Sequence, residues 1–172
     1  MNNHESKSMK PTKLSELIEA LEFDSDERAT RVDLQNGRLV TVDQSLLNAL
    51  EEGSEEVLSD LPDWQKEEVE VARAIAADSG ERFVPAPDKF DFHEYHHMER
   101  FIGTVESAEA GEQLWRAIKG KGAFRYFKDT ASRLGLLEQW YRYRDNAMQE
   151  FLIEWAEGHH VPVEDDLKTR NE

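Results

Sequence analysis

Two stretches of this chain hold residue types and spacings that could do chemistry. The first is His93-Glu94-Tyr95-His96-His97, a match to H-E-x-x-H. On a helix this spacing sets His93 and His97 on one face as zinc ligands, with Glu94 placed to activate a water, the chemistry of a metal-dependent hydrolase. A third ligand would have to come through the fold from Glu106, Glu109, Glu112, His159 or His160. Pro87 lies six residues upstream of His93, so His93 is expected in or near a first helical turn, where the positive end of the dipole disfavours a cation. Phe92, Tyr95, Met98, Phe101 and Ile102 then describe an amphipathic helix with largely exposed histidines.

The second stretch runs from Gly120 to Asp129 and resumes at Trp140-Tyr141-Arg142-Tyr143-Arg144-Asp145, mixing cations with aromatic rings. Residues 114–145 hold eight Lys/Arg against three acids, in a chain whose formal charge is −16. Gly120-Lys121-Gly122 lets the backbone turn sharply and leaves free N–H groups at the start of a helix, which favours an anion. On that helix Phe124, Phe127, Ala131 and Leu134 recur as a core stripe, and Lys121, Arg125, Lys128 and Ser132 form a wetter face. The candidate anion- or partner-binding set is Lys121, Arg125, Tyr126, Lys128, Trp140, Tyr141, Arg142 and Arg144.

Arg144 falls inside an apolar band of Leu137, Tyr141, Met148, Leu152 and Trp155. It is expected either to meet a ligand, to snorkel over aromatic rings, or to be buried against an acid. Arg142 and Tyr143 point elsewhere and read as surface. A plainer account treats Gly120 as a helix cap, Gly122 as a turn residue and the cations as a solvated face. Another has the cations neutralised by the acids of residues 51–70 or 106–112. Rings among cations are also the vocabulary of single-strand nucleic-acid platforms, but the Phe residues keep helical core spacing, and the overall charge repels polyanions at long range.

The elements that must position these residues can be read from periodicity. Thr12 is expected to N-cap a helix carrying Leu14, Leu17, Ile18 and Leu21. Residues 30–34 and 38–42 alternate around Asn36-Gly37 as a β-hairpin, and Leu46, Leu47 and Leu50 mark a short helix. Asp60, Pro62 and Asp63 open a helix carrying Trp64, Val71, Ala72, Ile75 and Ala76, closed by Gly80. Residues 82–87 read as an extended edge strand, since prolines cannot donate to a ladder. Helices follow over about 91–103, 107–119, 123–134 and 136–157. The expected fold is therefore mostly α (α+β), a helical domain with a small N-terminal β-hairpin element. Its expected divisions are a flexible tail at 1–10, an N-terminal lobe at 11–61, a helical domain at 62–163 and an acidic tail at 164–172.

With 172 residues, four Trp and 38% hydrophobic residues the chain can build a real core. It has no cysteine, which excludes disulfides, thiolate metal sites and cysteine nucleophiles. No signal-like segment or membrane-length apolar run is read, so a cytoplasmic location is expected. No nucleophile-elbow pattern is found, and catalytic carboxylates cannot be singled out among 37 acids. No cofactor is expected, and a binding or regulatory role is favoured over an enzymatic one. The partner is expected to be a nucleic acid, an acidic protein or another copy of this chain.

From Arg82 onward the order of features resembles Uncharacterised protein family 0158, a bacterial family of unknown function. The resemblance rests on residues 95–102 (Tyr95 to Ile102), and on Leu114-Trp115-Arg116-Ala117-Ile118 leading into Gly120 to Asp129. Trp140-Tyr141, Arg144-Asp145 and Glu154-Trp155 complete it. The N-terminal helix and hairpin agree more loosely. In the family's glycine-rich motif a second Arg usually follows Phe-Arg; here Tyr126 stands in its place and lowers the local positive charge. The paired histidines are not a family feature. The resemblance implies a cytoplasmic bacterial protein, and it supplies no mechanism and no catalytic residues.

Overall fold

A computed structural model describes residues 9–167. The expected tail at 1–10 thus lies outside the described residues up to Ser8, as does the expected acidic tail from Lys168 onward. The fold is α+β: mostly helical, with a small sheet toward the N-terminus. The chain divides into two compact units, residues 1–88 with 152–172, and residues 89–151.

In the first unit, β1 (Thr12–Lys13) leads straight into α1 (Leu14–Glu22). Leu14, Leu17 and Leu21 are buried along one side of that helix, as their spacing predicts. Thr12 does not cap it. Thr12 is itself buried, and lies in a short parallel pairing with Val163 of β5 (Val163–Glu164). Lys13 takes the N-cap position without a side-chain hydrogen bond. Ser15 instead donates from its backbone and its hydroxyl to the Asp166 carboxylate, and these bonds hold that carboxyl below its usual pKa.

The hairpin forms as expected. β2 (Arg28–Asp33) pairs antiparallel with β3 (Arg38–Asp43), and β4 (Phe83–Pro85) pairs antiparallel with the other side of β2. The order β3-β2-β4 puts the proline-bearing strand at an edge, where its missing donor does no harm. Asp33, buried in the sheet, accepts from Arg82 Nε at 3.1 Å and Nη2 at 3.0 Å, a two-pronged pair that ties the approach to β4 to the end of β2. At the hairpin bend Gly37 adopts φ +72°, and a Cβ there would lie 2.4 Å from the Pro11 carbonyl oxygen.

α2 (Gln44–Glu51) is capped by Asp43, whose carboxylate accepts from the Leu46 N–H. A 3₁₀ turn at Asp63–Gln65 precedes α3 (Lys66–Ala77). Trp64 therefore sits before the helix proper and is largely exposed, contrary to its expected place on the helix. One core cluster of this unit joins Ala29, Val42, Leu46, Leu47, Ala72, Ile75 and Phe83, so α2 and α3 cover the sheet face that carries Ala29 and Val42.

The second unit holds α4 (Lys89–Phe92), α5 (Glu94–Thr104), α6 (Ala108–Ala117), α7 (Ala123–Arg133) and residues 137–151 of α8 (Leu137–Gly158). The helix expected over 91–103 is broken at His93, which takes a left-handed φ of 56°, rare for a residue with a Cβ. The core is an aromatic nest: Phe101, Phe127 and Trp140 meet edge-on at centroid distances of 5.0–6.2 Å, and Met98, Ile102, Leu114 and Ile118 fill around them. Two readings of α8 and α7 are corrected. Tyr143 packs into this nest and Tyr141 points to solvent, the reverse of their expected placement. Phe124, assigned to the core stripe, is about half exposed, while Phe127 and Ala131 are fully buried.

Gly37→Ala is expected to lower unfolding stability by more than about 1–2 kcal/mol, the cost of a left-handed residue with a Cβ, with the clash against Pro11 added. A urea titration of the wild type and the variant measures it.

Candidate functional site

The chemistry of the H-E-x-x-H stretch needs both histidines on one helical face. His93 is the N-cap of α5, not a residue within it, so the two histidines do not stand one turn apart on a common helical face. His97 stacks on Phe92, with ring centroids 4.5 Å apart and planes at 20°. His93 instead meets His96 edge-on at 4.8 Å, and His96 Nδ1 lies 3.4 Å from the Glu99 carboxylate. Glu94, the would-be base, accepts from Arg144 Nε in a half-buried ion pair. Among the described residues no group of three or more His, Asp or Glu side chains is placed to hold a metal ion. The structure does not set His93 and His97 on one helical face, as the zinc reading of that stretch expects.

His97 is half-buried, and burial, aided by the nearby Arg100 charge, holds its imidazole below the ordinary value of 6.5. The folded state therefore disfavours the imidazolium.

The basic–aromatic set is dispersed by the fold. Trp140 belongs to the core of its unit, and cannot offer its ring to a ligand. Arg144 is taken by Glu94. Arg125, Lys128, Tyr141 and Arg142 are exposed, with Arg125 Nε 3.9 Å from Asp129 one turn on. Lys121 and Tyr126 enter a groove between α6 and α7.

That groove measures about 780 Å³. Its α6 wall presents Glu109, Glu112, Gln113 and Arg116, spaced i, i+3, i+4, i+7, and its α7 wall presents Tyr126, Thr130 and Arg133, spaced i, i+4, i+7. Lys119 and Lys121 close one end on the connecting turn. Gly122 makes this corner possible twice over. It starts α7 at φ +74°, a conformation that favours glycine, and a Cβ there would lie 3.1 Å from the Tyr126 ring and press it outward.

Within the groove Arg116 Nη2 donates to Glu112 Oε1 at 2.7 Å, and Arg133 Nη2 donates to the neutral Gln113 Oε1 at 3.2 Å. Lys119 and Lys121 have no ion-pair partner among the described residues. Of the eight cations in residues 114–145, three lie within 4 Å of an acid among the described residues: Arg116, Arg125 and Arg144. Arg116, Lys119 and Arg133 were outside the candidate set, although the stripe Tyr126–Thr130–Arg133 is legible as one helical face.

The two units differ sharply in charge. Residues 89–151 carry ten Lys/Arg and ten Asp/Glu, so the whole −16 resides on residues 1–88 and 152–172.

Comparison with known proteins agrees with the motifs. The model of an uncharacterised protein family (UPF0158) matches residues 9–171. This chain belongs to that family. A curated relative, a UPF0158 protein of Pseudomonas aeruginosa, is 29% identical over 65 residues, which span 37% of this chain and 42% of the relative. No solved structure matches. The UPF0158 match takes in the groove helices and the hairpin lobe alike, so it extends over the N-terminal half as well as the C-terminal motifs.

Because the folded state disfavours the His97 imidazolium, stability that is present above about pH 6.5 is expected to fall as pH drops below that value. The unfolded chain binds the proton more readily, so acid favours unfolding. His97→Gln is expected to flatten this part of the profile, measured by urea midpoints between pH 5 and 8.

Proposed function

We propose that this protein is a small cytoplasmic binding protein, not an enzyme, and that it recognises an anionic partner through the groove between α6 and α7. One observation carries the reading. Lys119 and Lys121 line a concave surface without a carboxylate in ion-pair reach among the described residues, next to Arg133, which is bonded to a neutral amide. Cations left unmatched in a concavity concentrate field there and raise the local concentration of anions.

Tyr126 and Thr130 supply a ring and a hydroxyl beside the charges, which suits a partner with polar and flat groups as well as negative charge. The acidic remainder of the chain repels anions at a distance, so recognition has to come from short-range contact and weaken quickly with salt. Internal neutralisation explains Arg116, Arg125 and Arg144 and leaves the groove lysines without a role. Exposed pairs such as Arg116–Glu112 contribute little, about 0–1 kcal/mol, and exchange readily for an incoming anion.

Fluorescence anisotropy with labelled oligothymidylate and labelled polyglutamate at low salt tests this. Saturable binding of either polymer is expected, and Lys119→Glu with Lys121→Glu should weaken it about tenfold or more, which is about 1.4 kcal/mol. Both lysines are exposed, so circular dichroism and the unfolding midpoint should hold. Unchanged binding by the variant, or no saturable binding of either polymer, overturns the proposal.

A further inference from the structure

A second concavity, of about 590 Å³, lies within the unit of residues 1–88 and 152–172, between α1 and the β2–β3 hairpin. Its charges are segregated by wall. Glu16 and Glu19 stand on the helix side, and Arg28 and Arg38 on the sheet side. Between them Thr30 and Thr41, directly opposed across the two strands, share a hydrogen bond at 3.0 Å. Leu39 and Phe23 add apolar surface, and Phe23 is 74% exposed.

The decisive feature is that these opposite charges do not meet. Glu16, Glu19 and Arg38 have no ion-pair partner among the described residues. Arg28 reaches only toward Glu68, at 3.6 Å, and stays half exposed. The groove between the two walls has room for a molecule that carries both signs itself.

We propose that this groove binds a zwitterion with an apolar side chain, a free amino acid or a short unblocked peptide. Its ammonium is held by Glu16 and Glu19, its carboxylate by Arg28 and Arg38, and its side chain lies along Leu39 and Phe23. Guanidinium groups suit the carboxylate because they offer two parallel N–H donors. The Thr30–Thr41 pair gives the floor hydroxyl donors and acceptors for a peptide or amino group. This site is independent of the α6–α7 groove and stands whether or not that groove binds an anion.

Calorimetric titration of the full chain tests it, with L-leucine and unblocked Leu-Leu as probes and their N-acetylated or C-amidated forms as controls. At least one unblocked probe is expected to saturate the site, and blocking either end should weaken it about tenfold or more. Leucine binding would assign a free amino acid; binding of Leu-Leu alone would assign a peptide terminus pair. Arg38→Gln should remove the preference for a free carboxylate, and Glu19→Gln the preference for a free ammonium. Both side chains are exposed, so the fold should be retained in each variant. Equal binding of a doubly blocked probe, absence of saturable binding by both unblocked probes, or variants that keep full end-group preference overturn the proposal.

Discussion

The packing of Phe101, Phe127 and Trp140 into one edge-on cluster is the constraint on which the unit of residues 89–151 depends. Three helices each contribute one large ring, so α5, α7 and α8 cannot shift independently without opening a void. Edge-on rings gain about 0.5–1.5 kcal/mol per pair beyond the area they bury. Leu114 and Ile118 bring the end of α6 into the same core. The α6–α7 groove is the outer side of this arrangement: its walls are the faces of α6 and α7 that turn away from the rings.

Once the rings are fixed, helical geometry decides what the groove displays. With Phe127 and Ala131 inward, Tyr126, Thr130 and Arg133 are carried to the groove side, and Lys128 and Arg125 to open solvent. The turn through Gly120 and Gly122 is short enough to keep Lys119 and Lys121 at the groove's end. Charge is thus arranged by packing: a unit with equal numbers of cations and acids still has a local surplus of cations where α6 ends and α7 begins.

The other unit shows the same logic with the opposite balance. Its sheet is pinned by the Asp33–Arg82 pair and by a core that includes α2 and α3, and it carries the whole excess of acid. Breaking a buried pair by removing one partner is costly because a charge is left behind without compensation. Asp33 is therefore matched by Arg82, while Glu16 and Glu19 are exposed to solvent.

Much of this was legible from residue order alone. Leu14, Leu17 and Leu21, the Asn36-Gly37 hairpin, the edge strand with its prolines and the four late helices follow from periodicity and turn chemistry, which act over a few residues. The family resemblance rested on motifs that the comparison then matched along nearly the whole chain. What could not be read were choices between neighbouring positions. Tyr141 and Tyr143 lie on either side of the same helical face, and only the position of Phe101 and Trp140 decides which ring goes inward. The H-E-x-x-H match assumed a continuous helix, but the backbone turns left-handed at His93 and Arg144 claims Glu94 from 50 residues away. Local sequence set the elements, because hydrogen bonding and side-chain period are short-range. Tertiary structure set which cations stand free, because an ion pair depends on distances between segments that no spacing along the chain records.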